Sequence, residues 1–225
     1  MPHAIVTGAS SGIGNAIVMR LLDEGWQVTG LSRRPLDHAH PHLTSLSVDL
    51  GDTAALAAAL ATLPVPRAVI HAAGMMASAP LGELVPMVSQ RLWGLHIHTA
   101  EQLFNHFAPR MQPGGRLVAI GSRTSRGAAG RSQYVATKAA LVGMMRSWAA
   151  ELAPRGITAN VVAPGATETP MLSASGRESS PPRVPPMGRL IAPQEVAAMV
   201  SYLLGPEAAP ITGQELVLCG GASLG

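Results

Sequence analysis

A tyrosine and a lysine four residues apart are suited to moving a proton. Tyr134 and Lys138 would share one face of a helix predicted over residues 132–153, because positions i and i+4 are neighbours on a helix. A nearby ammonium group favours the phenolate, so we expect the pKa of Tyr134 to lie below its usual value of about 10. Such a phenol can act as a general acid or base near neutral pH. Ser122 follows a predicted strand at 116–120, at the edge where open α/β sheets place their ligands.

Residues 7–14, TGASSGIG, form a glycine-rich segment that could hold a pyrophosphate. They lie between a predicted strand at 4–6 and a predicted helix at 15–24. Glycine lets the backbone turn tightly and approach a phosphate, and the first turn of a helix offers free N–H groups and a partial positive charge. A plain glycine turn is the alternative, but the order of strand, loop and helix favours a dinucleotide-binding loop.

Two arginines follow the second predicted strand, 27–31, in the run Ser32, Arg33, Arg34. In dinucleotide-binding folds the end of this strand contacts the adenosine ribose, and a carboxylate there pairs with the ribose hydroxyls of NAD. Arginine instead forms bidentate, charge-assisted bonds to a 2′-phosphate. The sequence therefore favours NADP, with NAD possible. Two solvated arginines in a loop are the alternative.

Short apolar runs alternate with longer helix-like segments along the whole chain. This alternation predicts βαβ units and a doubly wound, mostly parallel sheet with helices on both faces, an α/β fold of three layers. A loop is predicted at 173–186, where serine, proline and glycine are frequent. The predicted strands are 4–6, 27–31, 45–48, 68–71, 116–120, 157–162 and 215–218, and the predicted helices are 15–24, 53–63, 86–111, 132–153 and 193–204.

Composition excludes several classes of protein. The chain has 225 residues, 47% hydrophobic residues and a net charge of +3, which predicts one folded domain, 1–225, and argues against disorder. One cysteine excludes a disulfide scaffold and fits a reducing, cytoplasmic location. Residues 1–19 have neither a basic start nor a clean apolar run, so neither a signal peptide nor a membrane span is expected.

Nucleic acid and metals are not expected ligands. A surplus of three charges and an aromatic content of 3% offer little for nucleic-acid binding. His38, His40 and His42 alternate in a loop, but no cysteine or carboxylate cluster accompanies them, so we predict no metal site.

Taken together, these motifs resemble the short-chain dehydrogenase/reductase family in its compact, single-domain form, most of all the 3-oxoacyl carrier-protein reductase type. The resemblance implies a Rossmann fold, a homo-oligomer (dimer or tetramer) and an NAD(P)-dependent oxidoreductase with a small carbonyl or alcohol substrate. It runs along nearly the whole chain. Its motifs are TGASSGIG at 7–14, Asp49-Leu50, His71-Ala72-Ala73-Gly74, Gly121-Ser122, Tyr134 with Lys138, Asn160, Pro164-Gly165 with Thr169, Ile211-Thr212-Gly213 and Gly220-Gly221.

The resemblance also implies roles for single residues. Tyr134 would exchange the proton with the substrate oxygen, Ser122 would hydrogen-bond that oxygen, and Lys138 would bind the nicotinamide ribose. Asp49 and Leu50 would face the adenine, and Thr169 the carboxamide. The full set of expected cofactor residues is Gly8, Ser10, Ser11, Gly12, Ile13, Gly14, Ser32, Arg33, Arg34, Asp49, Leu50, Ala72, Ala73, Gly74, Tyr134, Lys138, Pro164, Gly165, Thr167 and Thr169.

One position departs from the family pattern. The family usually carries an asparagine in the long helix, where it holds a water that links the catalytic lysine to solvent. His96 is the best-matching residue here, and we count it with the catalytic candidates. A histidine could relay protons, since its ordinary pKa is near 6.5. A buried, hydrogen-bonded histidine with no relay role is the equal alternative.

The substrate is not readable from any motif. The loop at about 171–188 should decide it. Met75, Met76, Met171 and Met187 could line an adaptable apolar pocket or simply fill the core. Five arginines lie in loops on the expected substrate side, where either an anionic substrate or ordinary solvated charge explains them: Arg123, Arg126, Arg131, Arg177 and Arg183.

Three functions are compatible with these residues. The preferred one is an NADP-dependent carbonyl reductase or secondary-alcohol dehydrogenase with Tyr134 as the general acid or base. An NAD-dependent diol or sugar dehydrogenase is the second. A dinucleotide-binding regulatory protein without catalysis is the third, although intact Ser122, Tyr134 and Lys138 argue against it.

Overall fold

A seven-stranded parallel sheet runs through the protein in the computed structural model, which describes residues 1–172 and 183–224. The strand order is β3-β2-β1-β4-β5-β6-β7, and every neighbouring pair is parallel. Most strands are buried on both faces, as a parallel sheet covered by helices requires. The strands are β1 (His3–Thr7), β2 (Gln27–Ser32), β3 (Leu43–Ser47), β4 (Ala68–His71), β5 (Arg116–Ile120), β6 (Thr158–Pro164) and β7 (Glu215–Leu218).

Helices cover both faces of the sheet and complete a three-layer Rossmann fold, which confirms the predicted class. One apolar cluster packs α1 and α6 on one face, and a second packs α2, α4 and α5 on the other. None of the helices in the described ranges is long and apolar enough to span a membrane. The helices are α1 (Gly12–Asp23), α2 (Thr53–Ala61), α3 (Pro86–Trp93), α4 (Thr99–Phe107), α5 (Ser132–Leu152) and α6 (Pro193–Leu204).

The predicted elements agree with the structure in kind and differ at some ends. Helix α1 begins at Gly12, three residues before the predicted start, because Ser11 has extended backbone and the helix opens directly from the glycine loop. The single helix predicted at 86–111 is divided by a π-helical turn, Gly94–His98, between α3 and α4. Apolar periodicity cannot show such a turn, because it adds one residue without ending the helix. The loop predicted at 173–186 lies mostly outside the described residues.

The strand order gives the sheet a point where its connections reverse direction. Strands β1 and β4 are neighbours there, with β2 and β3 on one side and β5, β6 and β7 on the other. Ligands of open α/β sheets bind in the crevice beyond the carboxyl ends of the strands at such a point. The segments that follow β1, β4, β5 and β6 therefore meet at one edge.

Candidate active site

A cleft of about 1290 Å³ opens at the carboxyl edge of the sheet. It exceeds the roughly 300–1,000 Å³ typical of sites for one small ligand, so a dinucleotide and a second molecule fit together. Every catalytic and cofactor-binding residue predicted from the sequence lies in its lining, including Ser122, Tyr134, Lys138 and His96. The other predicted residues found there are Gly8, Ser10, Ser11, Gly12, Ile13, Gly14, Ser32, Arg33, Arg34, Asp49, Leu50, Ala72, Ala73, Gly74, Pro164, Gly165, Thr167 and Thr169.

The glycine loop has the close backbone contacts that a pyrophosphate cradle needs. Gly8 has φ +70°, and a Cβ there would lie 2.8 Å from the backbone of Ala73. A Cβ on Gly14 would lie 2.2 Å from the carbonyl oxygen of Gly8. Neither position accepts a side chain. Gly12, Ile13 and Gly14 at the start of α1 line the cleft, and the first turn of a helix has backbone N–H groups without partners in the helix, so the residues present fit a bound dinucleotide.

The cleft is basic where it extends beyond β2. Arg33 and Arg34 are exposed beyond β2. Two serine hydroxyls shape their turn: Ser32 donates to the carbonyl oxygen of Arg34 at 2.7 Å, and Ser47 donates to that of Arg33 at 2.9 Å. Ser32 therefore bonds to its own loop, while the two guanidinium groups are left at the cleft. Guanidinium groups at such a position can bind an anionic group through charge-assisted hydrogen bonds.

The three residues proposed for proton transfer lie on two adjacent elements. Ser122 follows β5, and its Oγ accepts the N–H of Thr124 at 3.2 Å and pairs with Thr124 Oγ1 at 2.8 Å. Tyr134 and Lys138 lie on α5 and are both buried, and Lys138 Nζ is 5.8 Å from the centre of the Tyr134 ring. The lysine donates to the carbonyl oxygen of Ile120 at 2.8 Å. Burial lowers the pKa of Lys138 to about 8.

Both ring nitrogens of His96 are engaged with neighbouring residues. Nε2 accepts the N–H of Met75 at 3.0 Å, so Nδ1 carries the proton and donates to Thr137 Oγ1 at 2.8 Å. Thr137 in turn donates to the carbonyl oxygen of Tyr134 at 2.8 Å, and the His96 ring packs edge-on against the Tyr134 ring at 5.7 Å. His96 thus ties the segment after β4 to the turn of α5 that carries Tyr134.

A second buried histidine, His71, joins the glycine loop to the same region. Thr7 Oγ1 accepts the N–H groups of Ala72 and Ala73, each at 3.2 Å. The Thr7 hydroxyl group therefore donates its own proton to His71 Nδ1 at 2.9 Å. The His71 ring is then neutral, with its hydrogen on Nε2. That atom is buried and faces the carbonyl groups of the π-helical turn, but forms no aligned hydrogen bond with any described residue.

Burial and Lys138 keep both histidines neutral. Desolvation, followed by the charge of Lys138, lowers the pKa of His71 to about 3. The same two causes, in the same order, hold the pKa of His96 well below its usual value. No sequence pattern indicated Thr7, Thr124, Thr137 or a polar contact of His71. Their types carry no signal of this role, because the hydrogen bonds join segments far apart in the chain.

Comparison with known proteins gives the family. A family model described as Enoyl-(Acyl carrier protein) reductase matches residues 8–223. The chain is 32% identical to the 3-oxoacyl-acyl-carrier-protein reductase FabG of Vibrio harveyi, over 97% of this chain and 96% of that protein. It is 31% identical to the 2,3-dihydro-2,3-dihydroxybenzoate dehydrogenase of Escherichia coli, over 98% and 96%. The chain belongs to the short-chain dehydrogenase/reductase family, and it is an oxidoreductase acting on CH–OH or C=O groups.

Solved structures agree with this assignment. A short-chain dehydrogenase from Burkholderia cenocepacia in complex with NADP is 28% identical, with a TM-score of 0.86 over 97% of this chain and 96% of that one. The aldohexose dehydrogenase of Thermoplasma acidophilum in ligand-free form is 27% identical, with a TM-score of 0.90 over 100% and 94%.

The buried histidines should make the fold sensitive to acid. The pKa of His71 is lowered to about 3 in the folded chain and returns to about 6.5 on unfolding, so between these values the unfolded chain binds more protons and stability falls as pH falls. His71 alone should remove about 1.4 kcal/mol of unfolding free energy between roughly pH 7.5 and 5.5. Urea unfolding of His71→Asn should show this pH dependence reduced by that amount.

The exposed His98 supplies the control, because its side chain faces solvent instead of the interior. His98→Asn should keep the pH dependence of the unmodified protein. An equal pH dependence in His71→Asn and the unmodified chain would show that His71 is protonated as readily folded as unfolded.

Proposed function

We propose that this protein is an NADP-preferring oxidoreductase that transfers a hydride between nicotinamide and a carbonyl or secondary alcohol. The observation that carries the proposal is the meeting of Tyr134, Lys138 and Ser122 with the glycine loop in one cleft. A dinucleotide bound at the glycine loop and a carbonyl group near Tyr134 would both lie in this cleft. Each residue then has a defined chemical task.

A bound nicotinamide would supply the hydride in reduction. Tyr134 gives its phenolic proton to the carbonyl oxygen as the hydride reaches carbon, so the product is the neutral alcohol, and oxidation reverses both transfers. Lys138, whose ammonium lies near the Tyr134 ring, stabilises the phenolate left behind. Ser122 hydrogen-bonds the same oxygen while charge develops on it. The Ser122 hydroxyl proton is free to bond to the substrate oxygen when Thr124 Oγ1 donates to Ser122 Oγ.

For His96 we propose positioning rather than proton relay. Its two nitrogens already bond to Met75 and Thr137, and its lowered pKa opposes the charged form that a relay would pass through. Through Thr137 it orients the carbonyl group of Tyr134 and the first turns of α5. The ring contact with Tyr134 adds a second constraint on the phenol.

The preference for NADP rests on the charge beyond β2. Arg33 and Arg34 border the cleft there, and the one carboxylate in its described lining is Asp49 beyond β3. Asp49 is engaged with its own turn, where Oδ1 accepts the N–H of Gly51 at 3.0 Å. The similar Burkholderia cenocepacia structure in complex with NADP supports the same choice.

The second candidate is an NAD-dependent diol or sugar dehydrogenase. The names of two similar proteins favour it, the dihydroxybenzoate dehydrogenase of Escherichia coli and the aldohexose dehydrogenase of Thermoplasma acidophilum. Binding constants for NADP and NAD would separate this second candidate from the NADP-preferring oxidoreductase. A panel of ketones, enoyl thioesters, diols and sugars assayed with both cofactors also tests the C=C reduction named by the family model. Failure of every substrate would favour a silent dinucleotide-binding protein.

We also propose a cytoplasmic location, a homo-oligomeric assembly and a single domain. One cysteine, Cys219, suits the reducing cytoplasm, and family resemblance supports a homodimer or homotetramer. The cleft brings together segments from residue 8 to residue 183, which supports one nucleotide-binding domain over 1–225.

Replacement of the proton donor should abolish turnover but spare cofactor binding. Tyr134→Phe removes one hydroxyl group and should lower kcat by about 10²- to 10⁴-fold, the usual contribution of a positioned acid or base. The dissociation constant of NADPH, measured by fluorescence, should change less than about twofold.

The chain offers a matched control, because its second tyrosine, Tyr202, is exposed on α6. Tyr202→Phe should keep full activity. A Tyr134→Phe variant that turns over as fast as this control would remove Tyr134 from the mechanism.

Removal of Arg33 should separate the two cofactors. A charge-assisted bond is worth about 1.5–3 kcal/mol, so Arg33→Ala should weaken NADP binding by about tenfold or more and leave NAD within about twofold. Titration of both cofactors by calorimetry measures this, with exposed Arg126→Ala as the control. An equal loss for NADP and NAD would contradict a 2′-phosphate contact.

A further inference from the structure

The charged residues of the cleft are divided between its two ends. Asp49 is the one carboxylate in the described lining and follows β3. Beyond β4, β5 and β6, the charged side chains in the described lining are Lys138, whose ammonium donates to the carbonyl oxygen of Ile120, and four arginines. Three strands, β2, β1 and β4, lie between β3 and β5 in the sheet, so this carboxylate neutralises none of these arginines. The arginines are Arg91, Arg123, Arg131 and Arg183.

Arg123 is the member of this set that directly follows Ser122. Its side chain is half-buried in the cleft wall, and Nη1 donates to the carbonyl oxygen of Ala222 at 3.3 Å. No carboxylate of the described ranges pairs with it, since the two ion pairs found there are Arg20–Glu24 and Arg189–Glu195. A guanidinium group has five N–H donors, and partial burial beside one backbone carbonyl leaves most of its charge uncompensated.

The turn that carries Arg123 has a second arginine, Arg126, which lies outside the cleft lining. Both residues belong to the same 3-10 turn, Arg123–Arg126. Arg126 is exposed and lies outside the cleft lining, as a solvated charge normally does. Ser125 donates to Glu215 Oε1 at 2.6 Å and Ser122 caps the turn, so the turn is held on both sides while Arg123 faces the cleft.

We propose that the cleft recognises an anionic substrate, a carbonyl compound or alcohol bearing a carboxylate or phosphate, with Arg123 as the residue that binds the anionic group. This inference rests on the proposed oxidoreductase function. Arginine binds either anion through paired N–H donors. Because Arg123 adjoins Ser122, the anionic group lies within one side chain's reach of the reacting oxygen, and short keto acids or keto phosphates fit best.

Binding to the protein saturated with NADP⁺ tests the proposal without turnover, because a ketone cannot be reduced in that complex. Calorimetry would compare three matched pairs: acetoacetate with its methyl ester, levulinate with its methyl ester, and dihydroxyacetone phosphate with dihydroxyacetone. In at least one pair the anion should bind tenfold or more tightly than its neutral partner. The carboxylate and phosphate pairs then identify which anion the cleft prefers.

Arg123→Met, which keeps the apolar stem and removes the charge, should reduce that ratio to within twofold. Arg126→Met should keep it, and NADP⁺ should bind all three proteins equally. The proposal is overturned if no pair shows an anion preference, or if Arg126→Met lowers the ratio as much as Arg123→Met does.

Turnover of the same compounds with NADPH separates this inference from the function on which it rests. Reduction of neutral ketones with no preference for the anions refutes the anion site and leaves the oxidoreductase. Arg123-dependent anion binding with no hydride transfer in any pair refutes the reaction and leaves the binding site.

Discussion

The hydroxyl group of Thr7 is the contact on which the arrangement of the cleft depends. It lies at the last residue of β1 and accepts two backbone N–H groups from the segment after β4 while donating to His71. Gly8 follows at once, with its Cα so close to Ala73 that no side chain fits between them. The glycine loop and the segment that leads to Met75 are therefore held together at the point where the sheet reverses direction.

From that contact a series of hydrogen bonds leads toward the proposed proton donor. Met75 donates to His96, His96 donates to Thr137, and Thr137 donates to the carbonyl oxygen of Tyr134. Every member must keep one protonation state, because each donor faces one acceptor. The charge of Lys138 helps to enforce this, since it disfavours a second cation on either buried histidine. Burial and this one cation thus keep two imidazoles neutral, and in the proposed reaction the same cation would stabilise the Tyr134 phenolate.

The sequence predicted the class of fold and its strands well, because a doubly wound sheet follows from alternating apolar runs and helix-length segments. The end residues of β4, β5, α6 and β7 were predicted to the residue. The π-helical turn was missed, since it continues the helix and no residue type in Gly94–His98 marks it. Met187, expected near the substrate, is exposed and outside the described lining of the cleft.

By itself the sequence determined which residue types are available for chemistry and where they lie: glycines before a helix, arginines after β2, and a tyrosine and lysine on one helix face. Those predictions depend only on the types of residues and on their spacing along the chain. Only the tertiary structure decided how the other polar groups are used. Arg123 and Arg126 are alike in sequence, yet one faces the cleft and one faces water. His96 matches a relay position, yet both its nitrogens are taken. Such outcomes depend on contacts between segments far apart in the chain, and no local pattern encodes them.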